Sequence, residues 1–318
     1  MAQRDEFIEY LFEEAKKDPR VILISVDMGA PALDQWREEL PNQFVAAGIS
    51  EQNAINFAAG LAAAGKKPYV YMMACWVARC FEQIRYSCAM PKNPITIIGN
   101  GVGLGYAPAG PAHEPTEDLC YMRAIEGLEI YSPSSSSQVR QIAEQTLCTP
   151  ALRYVRLERS LSLRLATRSG KPEDSGIELL KEFRGESGKV VTFLSSGYLL
   201  ERALDVAEFV SNETGNTVQV LDVWQIKPLD LTSLHKQIAH SYLLVTLEEQ
   251  ARDGAFGSAI LEAVSDLELQ ISVKRISLNT AFAFENGTRE ELLDLYGLSI
   301  DKIKVEVLSA ISKVGNRS

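Results

Sequence analysis

GISEQNAINFAAGLAAAGKKPYVYMMA, residues 48–74, contains the change of period that decides the fold. Ile55, Ala58, Ala59 and Ala62 share one face at helical spacing. Gly65 and two lysines then interrupt the pattern, and PYVYMMA (68–74) follows as a short apolar run of the buried-strand kind. Just upstream, FVAAGI (44–49) is a second such run, so a helix beginning near Ser50-Glu51 is flanked by two strands. Short apolar strands alternating with helices predict a mostly parallel sheet covered on both faces.

The same alternation extends outward. Phe7, Ile8, Leu11, Phe12 and Ala15 have helical spacing, and VILISV (21–26) reads as a strand. Downstream, PITIIG (94–99), LEIYS (128–132) and ALRYVR (151–156) complete the set. SPSSSS (132–137) ends a strand and caps the helix from Gln138, Ser being a preferred N-cap. LERSLSLRLATRSGKPEDSG (157–176) is polar and aperiodic, after which VVTFLS (190–195), VQVLDV (218–223), YLLVTL (242–247) and ISVKRIS (271–277) restart the strand pattern. The expectation is two three-layer α/β domains, residues 1–165 and a smaller one at 189–318, with a linker at 166–188.

Composition fits that picture. The 318 residues exceed one average domain, and 46% apolar with 23% charged residues suits a soluble globular core. A net charge of −10 argues against nucleic acid as main partner. No apolar run approaches the ~20 residues of a bilayer span. The start, MAQRDEFIEYLFEEAKKD, is charged and amphipathic rather than a signal peptide, which predicts a cytoplasmic location. Cys75, Cys80, Cys88, Cys120 and Cys148 are odd in number and form no CxxC pair, so reduced thiols are expected, with neither structural disulfide nor metal site.

Chemistry is expected where strands end, since open α/β sheets bind ligands at strand C-terminal ends. Glu51 falls there, although a glutamate in a first helical turn also serves simply to offset the helix dipole, and spacing alone leaves both readings open. GISEQN followed by AAGLAAAGKKPYVY, then RCFEQIR, GPAHEPTED and PALRYVRLER, resembles the pyrimidine-binding domain of transketolases in content and order. SSGYLLERALDVAE, VLDVWQIKPLD and TLEEQARDGAFGSAI resemble the transketolase C-terminal domain. Single-chain members also carry a GDG motif and a downstream Asn that hold magnesium and the coenzyme diphosphate. The DG here, Asp253-Gly254, lies in the second domain without that Asn. The resemblance is therefore to the C-terminal subunit of a split transketolase. It implies thiamine diphosphate as coenzyme, Mg2+ bound by the partner, an N-terminal subunit carrying the GDG domain, an α2β2 assembly, and sugar or sugar-phosphate substrates.

Residue by residue, the resemblance makes Glu51 the glutamate that shares a proton with N1′ of the aminopyrimidine, favouring the imino tautomer that activates thiazolium C2. Met73 and Trp76 match the apolar and aromatic walls of the pyrimidine, and Asp27 an aspartate beside the thiazolium. Each has a plain structural alternative: core aromatic for Trp76, strand-end turn for Asp27. His113, one of three histidines, falls in GPAHEPTED and matches a histidine that hydrogen-bonds the reacting oxygens. Glu117 and Asp118 read as the start of the next helix.

Ungapped matching gives Arg4 and Arg156 as the family's two phosphate-binding arginines. Pro31 stands at the serine position, Gly101 at the phosphate-binding histidine, and Ala109 where an aspartate is usual. Each buried polar substrate group left unpaired costs ~1–3 kcal/mol. These departures predict a poor fit for ribose 5-phosphate and a bulkier, differently charged or non-standard acceptor near Gly101. The rival readings are the beta subunit of a 2-oxo acid dehydrogenase decarboxylating component, with a lipoamide acceptor, the synthase of deoxyxylulose phosphate, normally one long chain, and a non-catalytic paralogue. The His113 loop favours the transketolase type over the dehydrogenase, and retention of Glu51 and His113 argues against the paralogue.

Overall fold

Val21–Ser25, five consecutive buried residues, form β1, one strand in from an edge of the first sheet. The computed structural model describes residues 2–27, 29–159, 165, 172–278 and 282–315. Phe44–Ala46 (β2), Lys67–Met73 (β3), Thr96–Asn100 (β4), Leu128–Tyr131 (β5) and Leu152–Leu157 (β6) join β1 in one parallel array. Alternation sorts the strand residues onto two faces. Val21, Leu23, Tyr69 and Tyr71 pack under Phe7, Ile8 and Leu11 of α1 (Gln3–Ala15) and Trp36 of α2 (Ala32–Glu39). Ile22, Ile24, Val70 and Met72 pack under Ala54, Ala58 and Ala62 of α3 (Glu51–Ala63). The small alanine side chains let α3 lie close on the sheet.

The second sheet contains Ile177–Phe183 (β7), Val190–Ser195 (β8), Thr217–Val223 (β9), Leu243–Ala251 (β11) and Ser272–Leu278 (β12), in the order β12-β11-β8-β9-β7. It is parallel except for β7, an antiparallel edge strand. β7 falls inside the span read as linker. IELLKEF is an edge strand with alternate positions exposed, so its apolar signal is diluted. Residues 166–171 of that span lie outside the described residues.

Gln225–Lys227 (β10) crosses back and pairs antiparallel with β5 at the edge of the first sheet, giving the order β10-β5-β6-β4-β3-β1-β2. The two domains thus share a sheet edge. They also share core, because the cluster under α3 continues through Ile226, Phe256 and Ile260. Ser135 rather than Ser137 caps the helix Ser136–Cys148, accepting from the Gln138 amide. The five cysteines are free thiols. No described helix is long and apolar enough to cross a membrane.

Candidate active site

The chain leaves β2, turns at Gly48 (φ +68°) and enters α3 with Glu51 as its first residue. A side chain at φ +68° is strained, so glycine suits the turn that aims Glu51 inward. The Glu51 carboxylate is 4% exposed. Its charged partner is Arg79, with Nη1 3.4 Å from Oε2, and Arg79 is itself mostly in solvent. A buried carboxylate held by one long, wet contact retains acceptor capacity toward a ligand.

Met73 ends β3 and is buried, while Trp76 is half-buried in the tight turn Ala74–Cys80. That turn packs against α3, which brings the apolar wall beside Glu51. Cys75, between Met73 and Trp76, lies within electrostatic reach of Glu51, and burial pushes its thiol up to about 11. Tyr106 lies within reach of Cys75, Arg159 and Arg4. Glu51, the Met73–Trp76 turn, Tyr106, Arg4 and Arg159 therefore belong to one region at the strand ends. Asp27, just past β1, is exposed with φ +40°, a conformation that Asp tolerates better than most residues.

Arg4 is half-buried at the start of α1 and grips Asp5 with Nε at 2.7 Å and Nη2 at 3.0 Å. Those bonds push the guanidinium still further above its ordinary value. Arg156 departs from expectation. It is 2% exposed, with Nε and Nη2 on Asp118 at 2.7 and 3.1 Å and Nη1 on Ser132 Oγ at 3.0 Å. Each of its guanidinium nitrogens has a protein partner, so it is a structural core arginine and not a free anion ligand. Asp118 does begin the short helix Asp118–Met122, with no side-chain cap from Glu117, but its carboxylate serves Arg156 and the Tyr154 hydroxyl. The arginine presented to solvent is Arg159, three residues on, with its guanidinium 4.7 Å over the Tyr106 ring.

Gly101 also departs. Its φ is +73°, and a Cβ there would meet the Tyr106 ring at 1.9 Å. The volume expected to stand open is filled by Tyr106, whose hydroxyl accepts from Asn100 Nδ2 at 2.7 Å. Ala109 and Pro31 lie on the surface.

His113 sits half-buried at the end of the turn Pro111–His113, its backbone N–H donating to Gly110 at 2.9 Å. Its Nδ1 is buried with no hydrogen-bond partner, a state that a polar ligand would relieve. Glu114 beside it is 5% exposed, has an unpartnered Oε1, and is pushed up to about 7 by burial. Glu114, Tyr106 and Arg159 escape a reading of the sequence alone. Tyr106 is signalled only as an aromatic in a glycine-rich loop, and Arg159 only as a cation just past a strand.

Residues 1–163 match the family model described as transketolase, pyrimidine binding domain, and residues 182–303 match transketolase, C-terminal domain. The chain belongs to the transketolase family. It is similar to one subunit of the apulose-4-phosphate transketolase of Phocaeicola vulgatus, at 29% identity over 98% of each chain. The 6-deoxy-6-sulfo-D-fructose transketolase subunit SqwH of a Clostridium species is 28% identical over 94% of this chain and 91% of its own length. The 1-deoxy-D-xylulose-5-phosphate synthase of Rhodopirellula baltica is 32% identical, and this transketolase-family chain spans about half of that longer enzyme, 47%. A solved structure described as a split gene transketolase, inactive beta4 tetramer, superposes with a TM-score of 0.84 at 28% identity, over 98% of this chain and 99% of that one. The chain is thus a transketolase-type transferase subunit of a thiamine diphosphate-dependent family.

Proposed function

We propose that this subunit transfers a two-carbon ketol unit from a ketose donor to an acceptor in partnership with a second chain, which supplies the grip on the coenzyme diphosphate and Mg2+. The observation carrying this is the Glu51 carboxylate, buried at a strand end with one thin contact, beside the Met73–Trp76 wall. These residues fit an aminopyrimidine: a buried acceptor for a ring nitrogen and apolar surfaces for a flat ring. When bound, thiamine diphosphate supplies the carbon nucleophile for ketose cleavage. Glu51 holds and shares a proton at the ring nitrogen it faces, and its burial excludes competing water. His113 offers a ring nitrogen to the substrate carbonyl or hydroxyl, and Asp27 lies at the exposed edge of the same strand ends.

Arg4 and Arg159 are assigned to the substrate anion. Both reach Tyr106 electrostatically, and a guanidinium matches phosphate or sulfonate bidentately. Two of the relatives are named for sugars with a terminal phosphate or sulfonate, which agrees with an oxyanion-bearing acceptor or donor. The Tyr106 ring in place of open space above Gly101 narrows this pocket, so the non-standard acceptor is one shaped to an aromatic wall and not simply a bulkier one. The test is a screen of phosphorylated and sulfonated ketoses and aldoses on the co-purified pair. An Arg159→Met pair should raise KM for every anionic sugar used and leave neutral sugars unchanged. Equal effects on both classes would remove Arg159 from this role.

A further inference from the structure

His113 is carried by a long loop between β4 and the helix Asp118–Met122, and strand β11 of the second domain holds that loop on both sides of the histidine. Upstream, the Leu104 N–H donates to Glu249 Oε2 at 3.3 Å. Downstream, the Ala251 N–H donates to the Thr116 carbonyl at 2.8 Å. Gly103 lies so close beneath Glu249 that a Cβ there would come within 2.4 Å of the carboxyl carbon.

Glu249 is itself fixed by Arg289. The guanidinium donates through Nε to Glu249 Oε2 at 3.0 Å, through Nη2 to Oε1, and through Nη1 to Glu158 Oε2 at 2.8 Å. It also stacks 3.7 Å from the Tyr198 ring centre. Glu158 lies next to Arg159, and its backbone N–H donates to Gln3 Oε1 at 2.8 Å, next to Arg4. All three charged groups are at least nine-tenths buried: Glu158 and Glu249 at 3% exposed, Arg289 at 9%. One guanidinium between two carboxylates leaves an excess acid, and burial accordingly raises Glu249. Loss of the shared cation would leave two desolvated carboxylates facing each other.

We propose that Arg289, from the second domain, is a positioning residue for the active site: by locking Glu249 and Glu158 it fixes the His113 loop and the segments that carry Arg159, just past β6, and Arg4, at the start of α1. This rests on the substrate roles given to those residues above. A structural brace alone would act on stability and coenzyme binding together. A positioning residue acts on the substrate while Glu51, held by α3 and its contact with Arg79, is untouched.

The experiment uses the reconstituted pair carrying Arg289→Met, with Arg289→Lys as the second variant. Amide exchange over residues 101–118, KM for an anionic sugar, kcat and coenzyme affinity are measured together. For Arg289→Met the expected result is exchange in 101–118 faster by at least about tenfold, exchange in 51–63 unchanged, coenzyme affinity within about twofold, and kcat/KM lower by ~10²-fold, the cost of a misplacement near 1 Å. Arg289→Lys, whose single ammonium cannot bridge both carboxylates in the same fork, should fall between wild type and Met, and carries the test if Met does not fold. Unchanged exchange in 101–118, or coenzyme affinity falling as far as kcat/KM, overturns the proposal. His113→Ala run alongside separates the two readings. Normal turnover by His113→Ala defeats the role given to His113, whereas impaired His113→Ala with normal Arg289→Met defeats the role given to Arg289.

Discussion

Arg156→Met should cost stability and leave substrate recognition intact, the reverse of what matching to the family's phosphate-binding arginines predicts. Asp118 is fully buried and accepts from Arg156 twice, from the Tyr154 hydroxyl at 2.8 Å and from the Leu119 amide at 2.9 Å. Removing the guanidinium deletes two charge-assisted bonds to Asp118 and one to Ser132, and leaves a carboxylate buried without its counter-charge. Breaking one half of a buried pair typically costs ~3–5 kcal/mol. The upper half applies here because Asp118 has no route to solvent. Equilibrium urea unfolding followed by tryptophan fluorescence reads this directly as a lowered midpoint at constant slope. Asp118→Asn in the same background should recover part of the loss by removing the stranded charge. Stability of Arg156→Met within ~1 kcal/mol of wild type, together with a raised KM for anionic sugars, would return Arg156 to the substrate.

Two further outcomes follow from the same geometry. Gly101→His should destabilise the fold and not create a phosphate ligand, since the new Cβ collides with Tyr106 and φ +73° strains any side chain; a folded Gly101→His pair with improved ribose 5-phosphate kinetics would contradict this. Burial pushes the Glu114 carboxyl up to about 7 from its ordinary 4.5. A carboxyl raised on folding holds its proton more tightly in the native state, so the native state loses stability as pH climbs from about 4.5 through about 7. At ~1.4 kcal/mol per unit the whole effect is bounded near ~3 kcal/mol. Glu114→Gln should therefore flatten the stability profile over that window; an unaltered pH slope between wild type and variant would count against it.

The sheet was legible because its strands are buried on both faces: VILIS and PYVYMM show as continuous apolar runs, and the α3 alanines show at helical spacing. β7 and β10 were not, one being half-wet and the other three residues long and paired outside its own domain. Glu51, Met73 and Trp76 are reached through motif resemblance, and their placement follows from the start of α3, the end of β3 and the turn that follows it. Ungapped counting assigns Arg156 to the substrate, whereas β6 is buried along its whole length and Asp118 and Ser132 occupy the Arg156 guanidinium. Glu249 and Arg289 are invisible for a different reason. Their significance lies in contacts across 40 residues with each other and 131 with Glu158, a separation no local pattern encodes.

In the proposed assembly this chain contributes Glu51 to a site completed by another subunit. Two-carbon transfer from a ketose phosphate should be measured with thiamine diphosphate and Mg2+ present, for the chain alone, the co-purified pair, and the pair carrying Glu51→Gln. Turnover is expected for the wild-type pair only, with Glu51→Gln lower by at least ~10²-fold while the subunits remain associated. Turnover by the chain alone, or a Glu51→Gln pair working at the wild-type rate, would contradict it.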